Sequence, residues 1–323
     1  MNNQLIQELK LRFDNTQNIL IVSHIRPDGD AVGSLLGLGL ALREAGKDVQ
    51  MILEDSVPRR YKFLQGSDLV QTKPSIDFEL MCVLDTSDLN RIGRNYEDYG
   101  KPDINIDHHV TNCNFATLNV VNPSAVSTTE ILSELIPLMI KPLSPDVATA
   151  LLTGLVTDTL GFLTPNMTAN AMRTSAALMD AGANLHVIYR KTLVSHSYES
   201  IRLWGQGLNR LERNGRLVWT SLTLQDRVDS GYPGYDDADL INVLSSIEDT
   251  DIAMIFTEQP NKRIKVSWRS IPGFDVSEIA LGFGGGGHPT ASGADIPGKL
   301  QEVQELVLQK TQSIIDTTSI IYR

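Results

Sequence analysis

The stretch SHIRPDGDA, residues 23–31, decides how the first half of the chain is interpreted. It ends an apolar strand predicted at Ile19–Ser23 and leads into a glycine-rich helix predicted at Asp30–Ala45, which Gly46 ends. A strand followed by a short turn and a helix is half of a β-α-β unit. The turn carries one histidine and two aspartates, and its proline and glycine favour a tight bend in which the three side chains converge.

The same alternation of strands and helices continues through residue 184. Short β-branched runs predict four more strands, at Val49–Leu53, Met81–Asp85, Asp103–Asp107 and Leu118–Val121. Helical patterns predict four more helices, at Asn3–Asp14, Ser127–Ile140, Pro145–Thr157 and Ala169–Ala181. This alternation is typical of an α/β fold, so residues 1–184 are predicted to form a mostly parallel sheet with helices on both faces.

Residues 185–213 are helical and polar, and are interpreted as a connector. Residues 214–323 predict a smaller mixed α/β domain. Its strands are expected at Arg216–Thr223, Ile252–Thr257 and Arg263–Arg269, and its helices near Asp236–Ile247, Asp275–Leu281 and Lys299–Ile315. A chain of 323 residues has the right length for two such domains.

Composition and charge exclude several classes of protein. Hydrophobic residues make up 41% of the chain, which excludes a disordered protein, and no apolar run approaches the roughly 18 residues that span a bilayer. Two cysteines are too few for a disulfide framework and no secretory signal is visible, so a cytoplasmic protein with no membrane partner is expected. The net charge of −11 disfavours long duplex DNA but permits small phosphorylated ligands. The oligomeric state is left open.

Acidic and histidine residues follow two further predicted strands at the point where each strand ends. Asp85 follows the apolar run 81–84, and Asp107, His108 and His109 follow the run 104–106. The carboxyl ends of parallel strands lie at one edge of a sheet, where ligands bind in open α/β folds. A single aspartate after a strand is a common turn former, and Asp30 taken alone also fits a simple helix N-cap. Three such strand ends together indicate a ligand site.

The charge of this edge predicts metal ions. Asp158 closes an apolar helix, where the helix dipole disfavours an acid unless a cation is near. Together with Asp28, Asp30 and Asp85 it brings four carboxylates into one cleft, and two divalent ions would neutralise them. Mixed carboxylate and imidazole ligands suit manganese, with iron, cobalt and magnesium as alternatives. Such a pair of ions is typical of enzymes that hydrolyse phosphoesters.

These residues resemble the ordered motifs of the DHH phosphoesterase superfamily. The matching positions are His24-x-x-x-Asp28-x-Asp30, the strand-end Asp85, Asp107-His108-His109 and Asp158. The segment GGGGHPTASG, residues 284–293, resembles the hallmark of the DHH-associated C-terminal domain of its first type. The overall layout and the segment Ser127–Glu130 look most like the NrnA-type oligoribonuclease (nanoRNase) and 3′-phosphoadenosine-5′-phosphate phosphatase branch. One departure is Leu160-Gly161-Phe162 after Asp158, where family members often have glycine directly after Asp-Thr.

The resemblance implies a role for each matching residue. His24 and Asp28 would hold one metal, Asp30, His108 and Asp158 the other, and Asp85 would bridge both. Asp107 would orient His108 from behind, the usual partner of a metal-bound imidazole. His109 would face the substrate phosphate and stabilise the charge that develops there, and a water between the metals would be the nucleophile.

The C-terminal domain is expected to bind the substrate. Consecutive glycines allow backbone amides to approach a phosphate closely, so the candidate binding residues are Gly285, Gly286, Gly287, His288 and Ser292. A period of two in the neighbouring strand places Arg263, Lys265, Ser267 and Arg269 on one face, which is interpreted as an anion-binding wall. A flexible surface loop and a charged edge strand are the simpler alternatives. The resemblance adds Arg269 as a grip on the terminal phosphate or nucleotide, and Arg91 near the metals.

The sequence thus predicts a manganese-dependent phosphoesterase. Its expected substrates are short oligonucleotides (nanoRNA, dinucleotides), 3′-phosphoadenosine-5′-phosphate, or both, held in a cleft between the two domains. A cyclic dinucleotide phosphodiesterase would use the same motifs and is the main alternative within the enzymes. A non-catalytic nucleotide sensor is the alternative of a different class, and it predicts nucleotide binding without metal-dependent turnover.

Overall fold

The computed structural model describes residues 3–75, 77–93, 99–140 and 142–321, and for residues 316–321 it describes the backbone alone. The chain forms two compact units, Met1–Ser195 and His196–Arg323. The division between them falls inside the segment 185–213 that is interpreted above as a connector.

The first unit contains the predicted parallel sheet, which is confirmed. Its five strands are β1 (Asn18–Val22), β2 (Asp48–Ile52), β3 (Leu80–Leu84), β4 (Ile104–Asp107) and β5 (Leu118–Val121). All neighbours pair in parallel, in the order β2-β1-β3-β4-β5. The chain leaves β1 towards β2 and returns past β1 to reach β3, so the strand order reverses between β1 and β3. Open α/β sheets bind ligands at such a switch point, beyond the carboxyl ends of the strands.

Most helices of this unit pack on one face of the sheet. They are α1 (Asn3–Asp14), α2 (Gly29–Glu44), α3 (Thr128–Met139), α4 (Pro145–Asp158), α5 (Ala169–Asp180) and α6 (Leu185–Tyr189), followed by a π-helical turn at Arg190–Val194. Residues 29–42 of α2 are all buried, because this helix lies between the sheet and its helical neighbours. Burial on all sides explains why α2 is rich in leucine and glycine rather than amphipathic.

The opposite face of the sheet has a smaller apolar cluster. Leu20, Val22, Met81 and Val83 of the two central strands pack there against Ile92. Among the described residues, the cover on this face comes from connecting segments, which include a 3-10 turn at Leu89–Arg91. Two further 3-10 turns, at Arg59–Tyr61 and Ser67–Leu69, lie elsewhere in the unit. The helical cover expected on this face is therefore short in the described part of the chain.

The second unit is built on a mixed six-stranded sheet. Its strands are β6 (Glu212–Asn214), β7 (Leu217–Leu222), β8 (Ile252–Gln259), β9 (Arg263–Ser270), β10 (Gly286–His288) and β11 (Ala291–Pro297), in the order β10-β11-β9-β8-β7-β6. Only β7 and β8 pair in parallel among these described strands. The helices are α7 (Tyr198–Leu208), α8 (Leu224–Ser230), α9 (Leu240–Leu244), α10 (Ser277–Gly282) and α11 (Leu300–Ile321).

Neither simpler alternative for the glycine-rich segment and the basic strand applies, and one predicted helix begins later than expected. The glycine-rich segment forms the hairpin β10–β11 instead of a loop, because β11 pairs along its whole length with β9. That pairing also places β9 inside the sheet, so it is not an edge strand. The helix expected from Asp236 begins only at Leu240, because Ala238 and Asp239 have φ angles of +53° and +66°, which are incompatible with a right-handed helix.

Within the described ranges, no helix combines the length and the hydrophobicity needed to cross a bilayer.

Gly33 on α2 tests how closely α2 and α4 pack. A Cβ atom on Gly33 would lie 2.6 Å from the carbonyl oxygen of Ala150 on α4, so Gly33→Ala must push the two helices apart. We expect a loss of about 1–3 kcal/mol in unfolding free energy, measured by urea denaturation. The matched control is Gly205→Ala on α7, where a Cβ meets nothing within 4 Å; it should stabilise by about 0.5–1 kcal/mol. Equal effects of the two substitutions would show that helix packing is loose at Gly33.

Candidate metal centre

Three strand ends and two helix ends bring the predicted metal ligands together. His24 lies two residues beyond β1, Asp85 directly follows β3, and His108 and His109 directly follow β4. Three groups of side chains each have their ligand atoms within 4.8 Å of one another: His24 with Asp28 and Asp85, Asp30 with His108 and Asp158, and Asp85 with His108 and His109. Every residue predicted as a metal ligand belongs to at least one of these groups.

His24 is buried and its ring orientation is set by the backbone. Its Nδ1 lies 2.9 Å from the carbonyl oxygen of Ile25, and since a carbonyl can only accept, Nδ1 carries a proton. Nε2 is left to face the carboxylates, 3.7 Å from Asp28 Oδ1 and 3.5 Å from Asp85 Oδ2. The amide of Ile25 in turn donates to the carbonyl oxygen of Arg91, which ties this loop to the 3-10 turn that ends at Arg91.

The two aspartates of the first motif have different structural roles. Asp28, not Asp30, is the N-cap of α2, and its Oδ1 accepts from the amides of Asp30 and Ala31 at 3.0 Å. Asp30 is the second residue of the helix and is almost completely buried. Helix capping therefore explains Asp28 in part but leaves the burial of Asp30 to be explained by another interaction.

The N-terminus of α3 provides that interaction. The carboxylate of Asp30 accepts from the amide of Thr128 at 2.6 Å, and from the amide and hydroxyl of Thr129 at 2.9 and 2.7 Å. A helix N-terminus with free amides binds anions well. Thr128 and Thr129 are site residues that the metal motifs do not reveal, because 98 residues or more separate them from Asp30. The available signal is the capping pattern Ser127-x-x-Glu130, which marks a helix start.

Asp85 lies between the two histidine groups. Its Oδ2 faces His24 Nε2 at 3.5 Å, while its Oδ1 faces His108 Nε2 at 3.7 Å. The same Oδ1 accepts a hydrogen bond from the hydroxyl of Thr128 at 3.0 Å. The backbone of Asp85 has a φ of +53°, a left-handed conformation that aspartate and asparagine tolerate better than most residues. This conformation is typical of strained functional positions at strand ends.

His108 connects Asp85 to the remaining carboxylates. Its Nε2 lies 3.7 Å from Oδ2 of Asp158 and 3.9 Å from Oδ2 of Asp30. Asp158 is the last residue of α4, where the helix dipole offers it no stabilisation. The position of Asp158 is therefore unfavourable for a carboxylate unless a positive charge lies close to it.

Asp107 contacts His109 rather than His108, which differs from the role that the resemblance implied. His109 Nδ1 lies 2.7 Å from Asp107 Oδ1, and the other oxygen of Asp107 accepts from Asn112 at 2.6 Å. The reason is geometric: residues two apart at the end of a strand point to the same side, as Asp107 and His109 do. Burial alone would lower the pKa of His109, but the bond with Asp107 outweighs burial and raises it, while the charge of Arg91 opposes that rise.

The cluster holds more negative charge than it can carry ionised. Burial, reinforced by Asp85 and Asp28, raises the pKa of Asp158 to about 8. Burial and the charges of Asp85 and Asp158 likewise raise the pKa of Asp30 well above its usual range. Burial would lower the pKa of His24, but Asp28 and Asp85 outweigh it and raise that pKa to about 10. Protons thus balance a charge that divalent cations are able to balance instead.

The predicted substrate-binding residues of the second unit lie on the glycine hairpin and on β9. Gly286–His288 form β10, Gly285 directly precedes it, and Ser292 on β11 donates to the carbonyl oxygen of His288 at 2.7 Å. The hairpin register pairs Gly287 with Ser292, and the sheet register pairs Ala291 with Arg269. The candidate binding residues are therefore neighbours on three adjacent strands.

The basic face of β9 is partly neutralised by acidic residues. Arg263 forms an ion pair with Asp295, with Nε and Oδ2 2.8 Å apart. Burial lowers the pKa of Arg269, and the carboxylates of Asp237 and Asp239 oppose that shift. Burial raises the pKa of Asp237, and Lys265 opposes it. The anion-binding wall expected from the sequence therefore has acidic neighbours that the strand pattern did not indicate.

Comparison with known proteins finds relatives for both halves of the chain. Residues 18–155 match the DHH family, N-terminal domain, and residues 227–315 match the DHHA1 domain. The bifunctional oligoribonuclease and PAP phosphatase NrnA of Thermus thermophilus is 35% identical over 299 residues, which cover 90% of this chain and 88% of that protein. The protein of the same name from Bacillus subtilis is 28% identical over an alignment that includes 92% of this chain and 93% of that protein.

Other relatives are similar in fold or in part of their length. An exopolyphosphatase-related protein from Bacteroides fragilis superposes with a TM-score of 0.91 at 27% identity, covering 100% of this chain and 98% of that one. The cyclic-di-AMP phosphodiesterase PdeA of Listeria monocytogenes is 25% identical over 88% of this chain and 45% of its own. RecJ of Thermus thermophilus in complex with Mn²⁺ shares the fold, with a TM-score of 0.63 at 13% identity over 97% of this chain and 55% of that one. Because family models match both halves of the chain and a 35%-identical relative aligns over most of both proteins, this chain belongs to the DHH family of phosphoesterases, in the group with a DHHA1 domain.

Proposed function

We propose that the cluster binds two divalent ions, most favourably manganese. One ion is held by His24, Asp28 and Asp85, and the other by Asp30, His108 and Asp158, with Asp85 as the shared ligand. The observation that carries this proposal is that the two oxygens of Asp85 face two different histidines. Mixed carboxylate and imidazole donors fit manganese, and iron, cobalt and magnesium are the alternatives. Two bound ions would supply an activated water and neutralise charge on a phosphoester.

The residues around the ligands have supporting roles in this proposal. Thr128 and Thr129 hold the carboxylate of Asp30 in one orientation, so that the ligand geometry does not depend on the ion itself. Asp107 holds His109 through Nδ1, which leaves Nε2 of His109 for the substrate. The bond with Asp107 raises the pKa of His109, and Nε2 of that ring would donate to the phosphate as negative charge develops there.

The substrates we propose are short oligonucleotides, including dinucleotides, and 3′-phosphoadenosine-5′-phosphate. The similarity to proteins named oligoribonuclease and PAP phosphatase along most of the chain supports this choice. The net charge of −11 also disfavours long nucleic acid. Residues 1–184 would carry out the chemistry and residues 214–323 would bind substrate through Arg269, Gly285, Gly286, Gly287, His288 and Ser292. Arg91 would contact the substrate near the ions.

A cyclic dinucleotide phosphodiesterase is the second candidate function. The similarity to PdeA of Listeria monocytogenes supports it, although that protein is more than twice as long as the matched part and its identity is 25%. A linear dinucleotide is the product of opening a cyclic one, so the two candidates share ligand chemistry and differ in the first substrate.

The deciding measurement is hydrolysis by the purified protein with Mn²⁺, and with a chelator as control. We expect turnover of 3′-phosphoadenosine-5′-phosphate and of a 5′-phosphorylated dinucleotide, little turnover of a long single strand, and none without metal. Turnover of a cyclic dinucleotide alone would favour the second candidate. Nucleotide binding without turnover of any substrate would indicate a sensor.

Asp85→Asn tests the shared ligand. Asparagine tolerates the left-handed backbone at φ +53°, whereas alanine adds strain, so Asp85→Asn changes the charge and Asp85→Ala changes charge and backbone together. We expect both variants to lose at least about a thousandfold in turnover, because one ligand serves both ions. Asp85→Asn should keep the circular dichroism spectrum of the wild type. Retained turnover in Asp85→Asn would contradict the two-ion mechanism.

The pH dependence of stability tests the charge balance. A group with a raised folded-state pKa contributes stability that is complete below its unfolded pKa and is lost as pH rises through its folded pKa. For Asp158 that window runs from 3.8 to about 8, and for His24 from 6.5 to about 10. The metal-free protein should therefore lose stability as the pH rises from 5 to 9. Because divalent ions replace the protons, they should raise the Tm more at pH 8.5 than at pH 5.5. An ion-induced Tm shift that is independent of pH would contradict this charge balance.

A further inference from the structure

The turn that follows Asp158 has an unusual backbone. Leu160, Gly161 and Phe162 have φ angles of +48°, +73° and +71°, so three consecutive residues are left-handed and two of them are not glycine. Side chains with a Cβ atom disfavour this conformation, and leucine and phenylalanine have no polar atom with which to offset it. We call residues 159–164 the Leu160 turn.

The Leu160 turn is held in this conformation by its surroundings. The amide of Gly161 donates to the carbonyl oxygen of Val156 at 2.7 Å, and the amide of Phe162 donates to the hydroxyl of Thr159 at 3.0 Å. The hydroxyl of Tyr189 donates to the carbonyl oxygen of Gly161 at 2.7 Å. A Cβ on Gly161 would lie 2.6 Å from that hydroxyl, so only glycine fits there. Strain that persists under several independent constraints is typical of functional sites.

The side chains of the turn face in different directions. Phe162 packs against Tyr189, with ring centroids 6.3 Å apart, and against the apolar core. Leu160 is 52% exposed and Leu163 is 82% exposed. Core packing therefore explains Phe162 but not Leu160, which is both strained and in contact with water. Glycine at position 160 would satisfy the backbone without exposing an apolar side chain.

Leu160 lies next to the metal ligands along the chain. Only Thr159 separates it from Asp158, so the two Cα atoms are at most about 7.6 Å apart. Asp158 Oδ2 is 3.7 Å from His108 Nε2, within the cluster. An exposed apolar side chain thus lies two positions along the chain from a residue of the polar cluster. A ligand that suits this arrangement carries a charged group beside a flat apolar one, as a nucleotide does with its phosphate and base, and enzymes often pack bases against apolar side chains.

We propose that Leu160 is a specificity-determining residue that contacts the nucleobase next to the reacting phosphate, with Leu163 extending the contact. This inference rests on the proposed function in requiring a nucleotide substrate. It goes further by assigning a base contact to a turn whose sequence departs from the pattern that identifies the family.

Leu160→Gly separates the role in folding from the role in binding. Glycine relieves the strain, so the Tm should rise by roughly 2–4 °C. The affinity for a hydrolysis-resistant 5′-phosphorylated diadenylate, with a methylene in place of the bridging oxygen, should fall roughly five- to tenfold. Leu160→Met should restore most of that affinity. Ser56→Gly is the matched control, since Ser56 is an exposed residue at φ +60°, and it should raise the Tm without changing affinity.

Two analogues that each lack one base show whether the contact is to a base. For one of the analogues, the affinity of the wild type should be as low as the affinity of Leu160→Gly for the full diadenylate. The affinity of Leu160→Gly for that same analogue should equal the affinity of the wild type for it, because the contact is already lost. The base contact is overturned if Leu160→Gly binds the diadenylate as tightly as the wild type does. It is also overturned if Leu160→Gly binds both analogues more weakly than the wild type does, and by the same factor. Turnover of the hydrolysable diadenylate by the wild type is measured separately: its absence contradicts the proposed function, whereas absence of all nucleotide binding overturns both.

Discussion

The arrangement of the site depends on the hydrogen bonds between the Asp30 carboxyl group and the N-terminus of α3. These hydrogen bonds join the first motif of the chain to a helix that begins 98 residues later, and they hold a carboxyl group in the interior. Three donors from Thr128 and Thr129 bond to that group, so its orientation does not depend on an ion. The neighbouring ligands are then arranged around a fixed point. A ligand set that is oriented before any ion arrives loses little conformational freedom on binding one.

Much of the first unit follows from the sequence alone. Its strands are short apolar runs with polar residues directly beyond them, and its helices have clear caps, so local patterns and the tertiary fold agree. The ligand positions are predictable for the same reason, because each stands at the end of a strand or a helix. The partner of Asp107 is not predictable from the motif, since two adjacent histidines follow it and only the side-chain direction at the end of β4 selects His109.

The second unit shows where local patterns fail. Its β10 and β11 contain glycine, alanine and serine, residues with low strand propensity, and they form strands because β9 pairs with β11. The late start of α9 has a similar cause. Arg227 lies buried beneath residues 232–239 and donates to the carbonyl oxygens of Gly234 and Asp236, which holds that segment in a turn. Hydrogen bonds from a side chain to the backbone override the helical periodicity that follows Asp236.

The short outer strands of the second sheet have a consequence for solubility. Both edges, β6 and β10, are three residues long, and the strands with strong apolar patterns lie between them. A short edge offers few unpaired backbone groups to another chain, so it is a poor template for sheet extension between molecules. The glycine-rich β10 lacks side chains that would shield its backbone at the sheet edge. Because this strand is short, its exposed backbone does not promote aggregation of the protein.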